Sequence, residues 1–153
     1  MSILLVKYIR RNIIKVDKGN YPKEIKKMKK ELKVYRCDVC GNIIVKVVDS
    51  KVPVVCCGKP MTELVANTTD AAQEKHVPAV RVEGNEVIVR IGSVDHPMVE
   101  AHFIQFVIVE TENGFQVKYL EPNNEPEARF VVNEKVVAVY EYCNLHGLWK
   151  KEL

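Results

Sequence analysis

The sequence predicts an all-β chain in two parts, a small metal-bound unit followed by a β-sandwich. Four of the five cysteines lie within residues 37–57, at spacings that suit metal ligands. From residue 77 onward, short runs rich in Val, Ile, Phe and Tyr alternate with turn sequences, without a helical period. About seven such strands over about 80 residues are typical of a β-sandwich of immunoglobulin-like type.

The composition is that of a folded protein, with 153 residues of which 47% are hydrophobic and 28% charged. No apolar run is long enough to span a membrane, and the apolar run at residues 3–6 is too short for a signal-peptide core. We therefore expect a cytoplasmic protein. Thiols stay reduced in that compartment, so the five cysteines are expected to be ligands or reactive thiols rather than disulfides.

Residues 1–27 differ from the rest of the chain. They carry eight Lys or Arg and two acidic residues, whereas the remainder balances at −3. A basic tail can bind nucleic acid, but this one has few aromatics and no helix-turn-helix pattern, so a solvated leader is the simpler interpretation. Met28 and the Lys-rich run after it resemble a natural start. Residues 1–27 are therefore predicted to be an N-terminal extension, arising from the gene model or genuine, and the intact mass of natively expressed protein tests this.

Residues 28–63 are predicted to form the metal domain, followed by a linker at residues 64–76. A short strand leads into Cys37-x-x-Cys40-Gly41, where the glycine suits a turn whose amides point at thiolates. A second strand leads into the adjacent pair Cys56-Cys57. A unit of about 35 residues buries too little core to fold alone, and four thiolates on one iron or zinc ion would close it. The adjacent pair is expected to distort the tetrahedral geometry, and disulfides or free thiols are the alternative.

Residues 77–153 are predicted to form the β-sandwich from three hairpins and a last strand. The first hairpin pairs residues 79–83 with 87–91, and the second pairs residues 101–110 with 115–120. The third pairs residues 129–132 with 136–142, and residues 148–153 add a strand. Loops gather at the ends of a sandwich, so functional residues are expected there.

All four histidines and the fifth cysteine lie near the ends of predicted elements. They are His76, His96, His102, Cys143 and His146. A lone histidine is more often structural, but four of four with a Cys-x-x-His pair favour one metal site. Structural zinc usually takes four ligands, whereas four nitrogens and a thiolate suit iron with an open sixth position. A thiolate ligand donates electron density to a bound oxygen species, which indicates chemistry on such a species. The turn after Cys143 predicts sulfur hydrogen bonds from the amides of Leu145 and His146.

The motifs resemble those of desulfoferrodoxin, the two-iron superoxide reductase. They occur in the order Cys-x-x-Cys, Cys-Cys, Glu-Lys-His-Val-Pro, His-Pro-Met, His and Cys-Asn-x-His-Gly over residues 28–153. The resemblance implies a desulforedoxin-like domain with a mononuclear non-haem iron at site I, the ligands being Cys37, Cys40, Cys56 and Cys57, although zinc would fit the same thiolates. It also implies an iron at site II, with His76, His96, His102 and His146 roughly in a plane and Cys143 axial.

The resemblance further implies the reaction and the partners. The reaction is one-electron reduction of superoxide to hydrogen peroxide without release of dioxygen, a detoxification under oxidative stress. Glu74 and Lys75 alone would be interpreted as exposed loop charges. In the resemblance, Glu74 matches the sixth ligand of the oxidised iron, and Lys75 matches the residue that draws in superoxide and stabilises bound peroxide. A donor such as rubredoxin and a homodimer are also implied, with no nucleic acid or membrane as partner.

Two other classes of function fit parts of the sequence. A non-catalytic iron electron-transfer protein needs only the four-thiolate site, and it has no use for an open metal position beside Glu74 and Lys75. A zinc-stabilised binding module with a basic DNA-contacting tail is the second alternative. Such a module would be colourless and would hold zinc instead of iron.

Overall fold

Short strands make up about half of residues 32–153, the part of the chain that the computed structural model describes. Residues 1–27 and the predicted start at Met28 lie outside these residues. The elements in chain order are β1 (Lys33–Arg36), β2 (Ile43–Lys46), β3 (Val55–Cys56), β4 (Lys59–Pro60), β5 (Thr62–Glu63), α1 (Gln73–His76), β6 (Pro78–Glu83), β7 (Glu86–Ile91), β8 (Ile104–Thr111), β9 (Phe115–Tyr119), β10 (Glu127–Val131), β11 (Val136–Cys143) and β12 (Gly147–Glu152). The prediction of an all-β fold is confirmed.

The small unit contains β1 to β5. Strand β1 pairs antiparallel with β2 on one side and β5 on the other, and β3 pairs with β4. The turn before β2 uses Gly41 at a φ of 76°, as the sequence predicted. Cys57 has a φ of 50°, which is uncommon for a residue with a side chain, so the adjacent cysteine pair requires a locally strained backbone.

Two antiparallel sheets follow, with strand orders β10–β7–β6 and β12–β11–β8–β9. The first two predicted hairpins are confirmed, because β6 pairs with β7 and β8 pairs with β9. The last predicted strand is confirmed as β12, which pairs with β11. These connections place the loops that carry the histidines at the ends of neighbouring strands.

The third predicted hairpin is wrong. Strand β10 pairs with β7, whereas β11 pairs with β8 and β12 in the other sheet. The amide of Val132 donates to the Asn85 carbonyl at 2.8 Å, which keeps the end of β10 on the β6–β7 side before residues 133–135 cross over. A polar turn of three residues suits both a hairpin and a crossover between sheets. The crossover is favoured because it buries Ala128 and Phe130 of β10 between the two sheets.

Two smaller differences concern the ligand segments. The predicted strand at residues 101–110 begins only at Ile104, and His102 instead forms an isolated bridge with Val99. The predicted linker contains α1, a single helical turn that ends at His76. Both segments are too short to show a helical or strand periodicity in the sequence.

Strand β11 is buried on both faces, and its alternate residues belong to two apolar clusters. Val139 and Cys143 belong to the cluster between the two sheets. Tyr140 and Tyr142 belong to a second cluster, which includes Val34 of β1. The small unit is therefore packed against the outer face of the β8–β11–β12 sheet, with about 1.5–3 kcal/mol expected for each large apolar side chain that is fully buried.

Asn67 ties the linker to the edge of β12. Its amide donates to the Leu148 carbonyl at 3.0 Å, and its side-chain amide donates to the Lys150 carbonyl at 3.1 Å. The Lys150 amide in turn donates to the Asn67 side-chain oxygen at 2.8 Å. These bonds cover an edge that would otherwise be open for pairing. Of the helices in residues 32–153, none has the length and apolar character needed to cross a membrane.

Candidate metal centres

The four cysteines of the small unit converge at site I. Their Sγ atoms, from Cys37, Cys40, Cys56 and Cys57, all lie within 4.8 Å of one another. The Sγ atom of Cys56 lies 3.6 Å from that of Cys40 and 3.9 Å from that of Cys57, and all five cysteines of the chain are free thiols. Metal–sulfur bonds of about 2.3 Å in a tetrahedron give edges of roughly 3.8 Å, so the spacing suits one ion and not a disulfide.

The backbone of the Cys37 knuckle favours a thiolate. Hydrogen bonds from the amides of Cys40 and Val39 lower the pKa of Cys37 to about 6. The neighbouring thiols Cys40 and Cys56 raise the pKa of Cys57 to about 12. Four thiolates cannot share this space without a cation, and a bound metal ion supplies the missing positive charge.

Four imidazoles and a thiol converge at site II. The donor atoms of His76, His96, His102, Cys143 and His146 lie within 4.8 Å of one another. Each ring meets its two neighbours edge to face, with centroids 4.6–4.8 Å apart. The Nε2 atom of His76 lies 2.9 Å from Nδ1 of His146 and 3.2 Å from Nε2 of His96. Metal–nitrogen bonds of about 2.1 Å at right angles give roughly 3.0 Å, so these spacings suit neighbouring ligands of one metal.

Backbone carbonyls orient two of the rings. Nδ1 of His76 lies 2.7 Å from the Ala72 oxygen, and Nδ1 of His96 lies 2.6 Å from the Pro97 oxygen. A carbonyl oxygen only accepts, so each Nδ1 carries the proton and each Nε2 lone pair is free for a metal. Nε2 of His102 is buried and has no hydrogen-bond partner among the described residues. Buried polar atoms normally have a partner, and a metal ion bound at this site would supply one.

Asn144 is a supporting residue that sequence reasoning passed over. Its side-chain oxygen accepts from the Phe103 amide at 2.9 Å, and its side-chain amide donates to the Ala101 carbonyl at 3.1 Å. Its own amide donates to the Phe103 carbonyl at 3.1 Å. These three bonds hold both neighbours of His102 beside Cys143. The only signal was the place of this asparagine within the Cys-Asn-x-His-Gly motif.

Trp149 is a second supporting residue that was missed. Its ring stacks on His76 with centroids 4.7 Å apart at 20°, and its indole N–H donates to the His146 carbonyl at 3.2 Å. The side chain is buried, with 1% exposed. A bulky ring in this position fixes the His76 imidazole from behind. The sequence shows only a lone tryptophan in a strand, which any core would explain.

The protonation states suit metal binding. Burial is the main cause that lowers the pKa of His76, His96 and His102, that of His96 to about 4, so their rings are neutral at neutral pH. Burial raises the pKa of Cys143, and hydrogen bonds from the amides of Leu145 and His146 oppose this rise. This direction agrees with the predicted amide hydrogen bonds to the sulfur.

Glu74 and Lys75 lie on α1, directly before the ligand His76. Glu74 is exposed and Lys75 is half-buried. After burial and the charge of His146, the charge of Lys75 is a further cause that lowers the pKa of His102. Among residues 32–153, neither side chain takes part in an ion pair. Within the described residues, the lysine is therefore a cation without an ion-pair partner, one residue before the ligand His76.

The fold and the two ligand clusters define the chain as an all-β protein with two metal sites. The family model described as Desulfoferrodoxin matches residues 68–152, and the one described as Desulfoferrodoxin, N-terminal domain, matches residues 29–64. The chain therefore belongs to the desulfoferrodoxin family.

Individual relatives agree. A desulfoferrodoxin of Syntrophotalea carbinolica is 46% identical, over 82% of this chain and 99% of the relative. A desulfoferrodoxin homologue of Archaeoglobus fulgidus is 45% identical, over 80% of this chain and 98% of the relative. The crystal structure of the superoxide reductase from Treponema pallidum is similar with a TM-score of 0.68 and 35% identity, covering 80% of this chain and 99% of that chain. Both parts of the chain are thus shared with these proteins.

Proposed function

We propose that this protein is a superoxide reductase. It transfers one electron to superoxide, which takes up two protons and becomes hydrogen peroxide, and no dioxygen is released. The observation that carries the proposal is site II, where the donor atoms of four imidazoles and one thiol lie within 4.8 Å of one another. Glu74 and Lys75 directly precede one of these ligands, His76. Family membership and the similarity to a superoxide reductase structure support it.

We assign the site II donors to one non-haem iron, which supplies the electron when bound. These donors are His76, His96, His102, Cys143 and His146. Five protein donors exceed the four of a structural zinc site, and mixed nitrogen and sulfur donors suit iron. The site I thiolates, from Cys37, Cys40, Cys56 and Cys57, are assigned to a second iron, and zinc would fit them as well.

Lys75 and Glu74 complete the proposal for site II. Superoxide carries a negative charge, and a free ammonium group beside the imidazoles raises its local concentration. The same charge stabilises the negative charge that builds up on oxygen before protons arrive from solvent. Glu74, the adjacent carboxylate, is proposed as the sixth donor of the oxidised site.

The proposal extends to the domains, the electron donor, the oligomeric state and the location of the protein. We propose residues 28–63 as the site I domain, residues 64–76 as the linker and residues 77–153 as the reductase domain, with residues 1–27 as an extension. A small redox protein such as rubredoxin is proposed as the electron donor. A homodimer and a cytoplasmic location complete the proposal, and the family resemblance is what supports them.

Pulse radiolysis of the reduced protein without oxygen, combined with metal analysis, tests the function. We expect one hydrogen peroxide for each superoxide consumed, no dioxygen, and a rate proportional to the iron bound at site II. Release of dioxygen would indicate a dismutase instead. A protein that oxidises reversibly but does not consume superoxide would indicate the non-catalytic electron-transfer alternative, for which the exposed thiols Cys40 and Cys57 of site I are the supporting observation.

A further inference from the structure

Residues 92–94, here called the Gly92 turn, follow β7 and lead to the loop that carries His96. The amides of Ser93 and Val94 donate to the carbonyl oxygen of Glu74 at 2.7 and 3.0 Å. The Ser93 hydroxyl donates to the same oxygen at 3.2 Å. Three donors on one carbonyl oxygen hold it more firmly than an ordinary turn would. This oxygen belongs to the peptide group that joins Glu74 to Lys75, and a planar peptide transmits the restraint to both residues.

Only glycine permits this contact. Gly92 is buried and has a φ of +81°, a backbone conformation that residues with a side chain rarely adopt. A Cβ atom there would lie 2.5 Å from the Val94 oxygen and 2.7 Å from the oxygens of Glu74 and Lys75. All three obstacles are backbone atoms, which cannot rotate away. The turn and α1 therefore fit together only while position 92 has no side chain.

The Gly92 turn has a rigid base. Ile91, at the end of β7, is fully buried, and its amide donates to the Pro126 carbonyl at 2.8 Å. Arg90 and Asp95 form an ion pair across the turn, with nitrogen and oxygen 2.6 Å apart. The turn is thus anchored to the sheet on both sides, and α1 is the element that it restrains.

We propose that the Gly92 turn positions Lys75 for superoxide by holding the Glu74 carbonyl, so that Gly92 and Ser93 are positioning residues of the reaction. The inference rests on the proposed function, in which the Lys75 ammonium group attracts the anion. Lys75 has a long side chain and no ion pair among residues 32–153. The location of its ammonium group relative to site II therefore depends on where its backbone is held.

The test compares Gly92→Ala with Gly84→Ala in the iron-loaded protein. Gly84 also has a positive φ, +62°, but a Cβ added there meets nothing within 4 Å, so it is a matched control for backbone strain alone. For each variant, we would measure the iron bound at site II, amide hydrogen exchange at Ser93 and Val94, and the superoxide rate per iron at several salt concentrations. The double variant Lys75→Ala with Gly92→Ala completes the set.

We expect Gly92→Ala to keep its iron, to exchange the Ser93 and Val94 amides faster, and to lose about three- to tenfold in rate at low salt, with a flatter salt dependence. Added to Lys75→Ala, it should cost little more, because both changes remove the same contribution. If Gly92→Ala does not fold, Ser93→Ala should show a smaller loss that Ser93→Thr restores.

Four results would count against the inference. If Gly92→Ala matches Gly84→Ala in rate and salt dependence, or if its effect adds in full to that of Lys75→Ala, the turn does not act through Lys75. Loss of site II iron would show that the turn holds the ligand loops instead. If the unchanged protein consumes no superoxide, the proposed function itself fails and this inference with it.

Discussion

At the scale of single residues, Lys75 is the charge that the proposed reaction depends on. Replacing it by alanine removes the cation beside site II while leaving all five ligands in place. We predict a superoxide rate about tenfold lower at low ionic strength, with a smaller difference at high salt, because ions screen the attraction. Pulse radiolysis at several salt concentrations measures this. Lys151→Ala, an exposed lysine at the far end of β12, is the matched control. An unchanged rate in Lys75→Ala would refute the attraction.

Asn144 is predicted to increase the affinity of site II for its metal, and its replacement leaves the charge near the site unchanged. Asn144→Ala removes two side-chain hydrogen bonds, to the backbone of Phe103 and Ala101, that hold the two neighbours of His102. Hydrogen bonds that support the ligands of a metal from outside typically contribute about 10- to 100-fold to metal affinity. We therefore expect iron to leave site II faster during chelator competition. Asn113→Ala, in the turn after β8, should behave as the unchanged protein, and equal iron retention in both variants would show that Asn144 is dispensable.

At the scale of elements, the loops that gather buried histidines make the metal-free protein sensitive to acid. The pKa of His96 is lowered to about 4, and those of His76 and His102 are also lowered. In the unfolded chain, imidazoles take up protons near pH 6.5, before the folded ones do. The contribution of these groups to the free energy of unfolding is therefore complete above about pH 6.5 and is lost as the pH falls toward 4. For His96, the loss is on the order of 3 kcal/mol.

Urea unfolding of the metal-free protein at pH 7 and at pH 4.5 measures this change. We expect the free energy of unfolding at pH 4.5, relative to that at pH 7, to be lower in the unchanged protein than in His96→Asn, which removes the histidine whose pKa is lowered to about 4. Glu141 acts in the opposite sense over the same pH interval, because burial raises the pKa of its carboxyl group, and both proteins contain it. The same change in stability between the two pH values in His96→Asn and in the unchanged protein would contradict the prediction.

At the scale of the whole molecule, the two metal sites draw their ligands from separate parts of the chain. All site I ligands come from the small unit, whereas the site II ligands come from α1 and the sandwich. We predict that Cys40→Ser loses the site I metal but keeps the superoxide rate, per iron at site II, within about twofold of the unchanged protein, since the chemistry occurs at site II. Cys143→Ser should lose that rate. Its loss in Cys40→Ser would mean that site I takes part in the reaction.

Cys40→Ser is also expected to lower the free energy of unfolding of the whole molecule. Val34 of the small unit shares an apolar cluster with Tyr140 and Tyr142 of β11. A small unit without its metal has too little core to stay folded, and it would expose part of that cluster. The sandwich keeps its second cluster between the two sheets. Independent chemistry at the two sites is therefore compatible with coupled stability.

The sequence by itself determined which residues can bind metal. Cysteine and histidine are the side chains that bind iron or zinc most readily, and all nine of them fell into two ordered groups. It also determined the strands of the first two hairpins, because alternation and local turn sequences depend on near neighbours. The positive φ at Gly41 followed from short-range geometry in the same way, and so did the prediction of amide hydrogen bonds to Cys143.

Only the tertiary structure decided the features that depend on distant partners. The sequence placed β10 and β11 in one hairpin, but burial of Ala128 and Phe130 between the sheets sent them to different sheets. Asn144 and Gly92 look like ordinary loop residues until the segments they support, near His102 and at Glu74, are brought alongside. Ligand chemistry belongs to each side chain alone, whereas a supporting contact exists only between segments that are far apart in the chain, and folding alone brings them together.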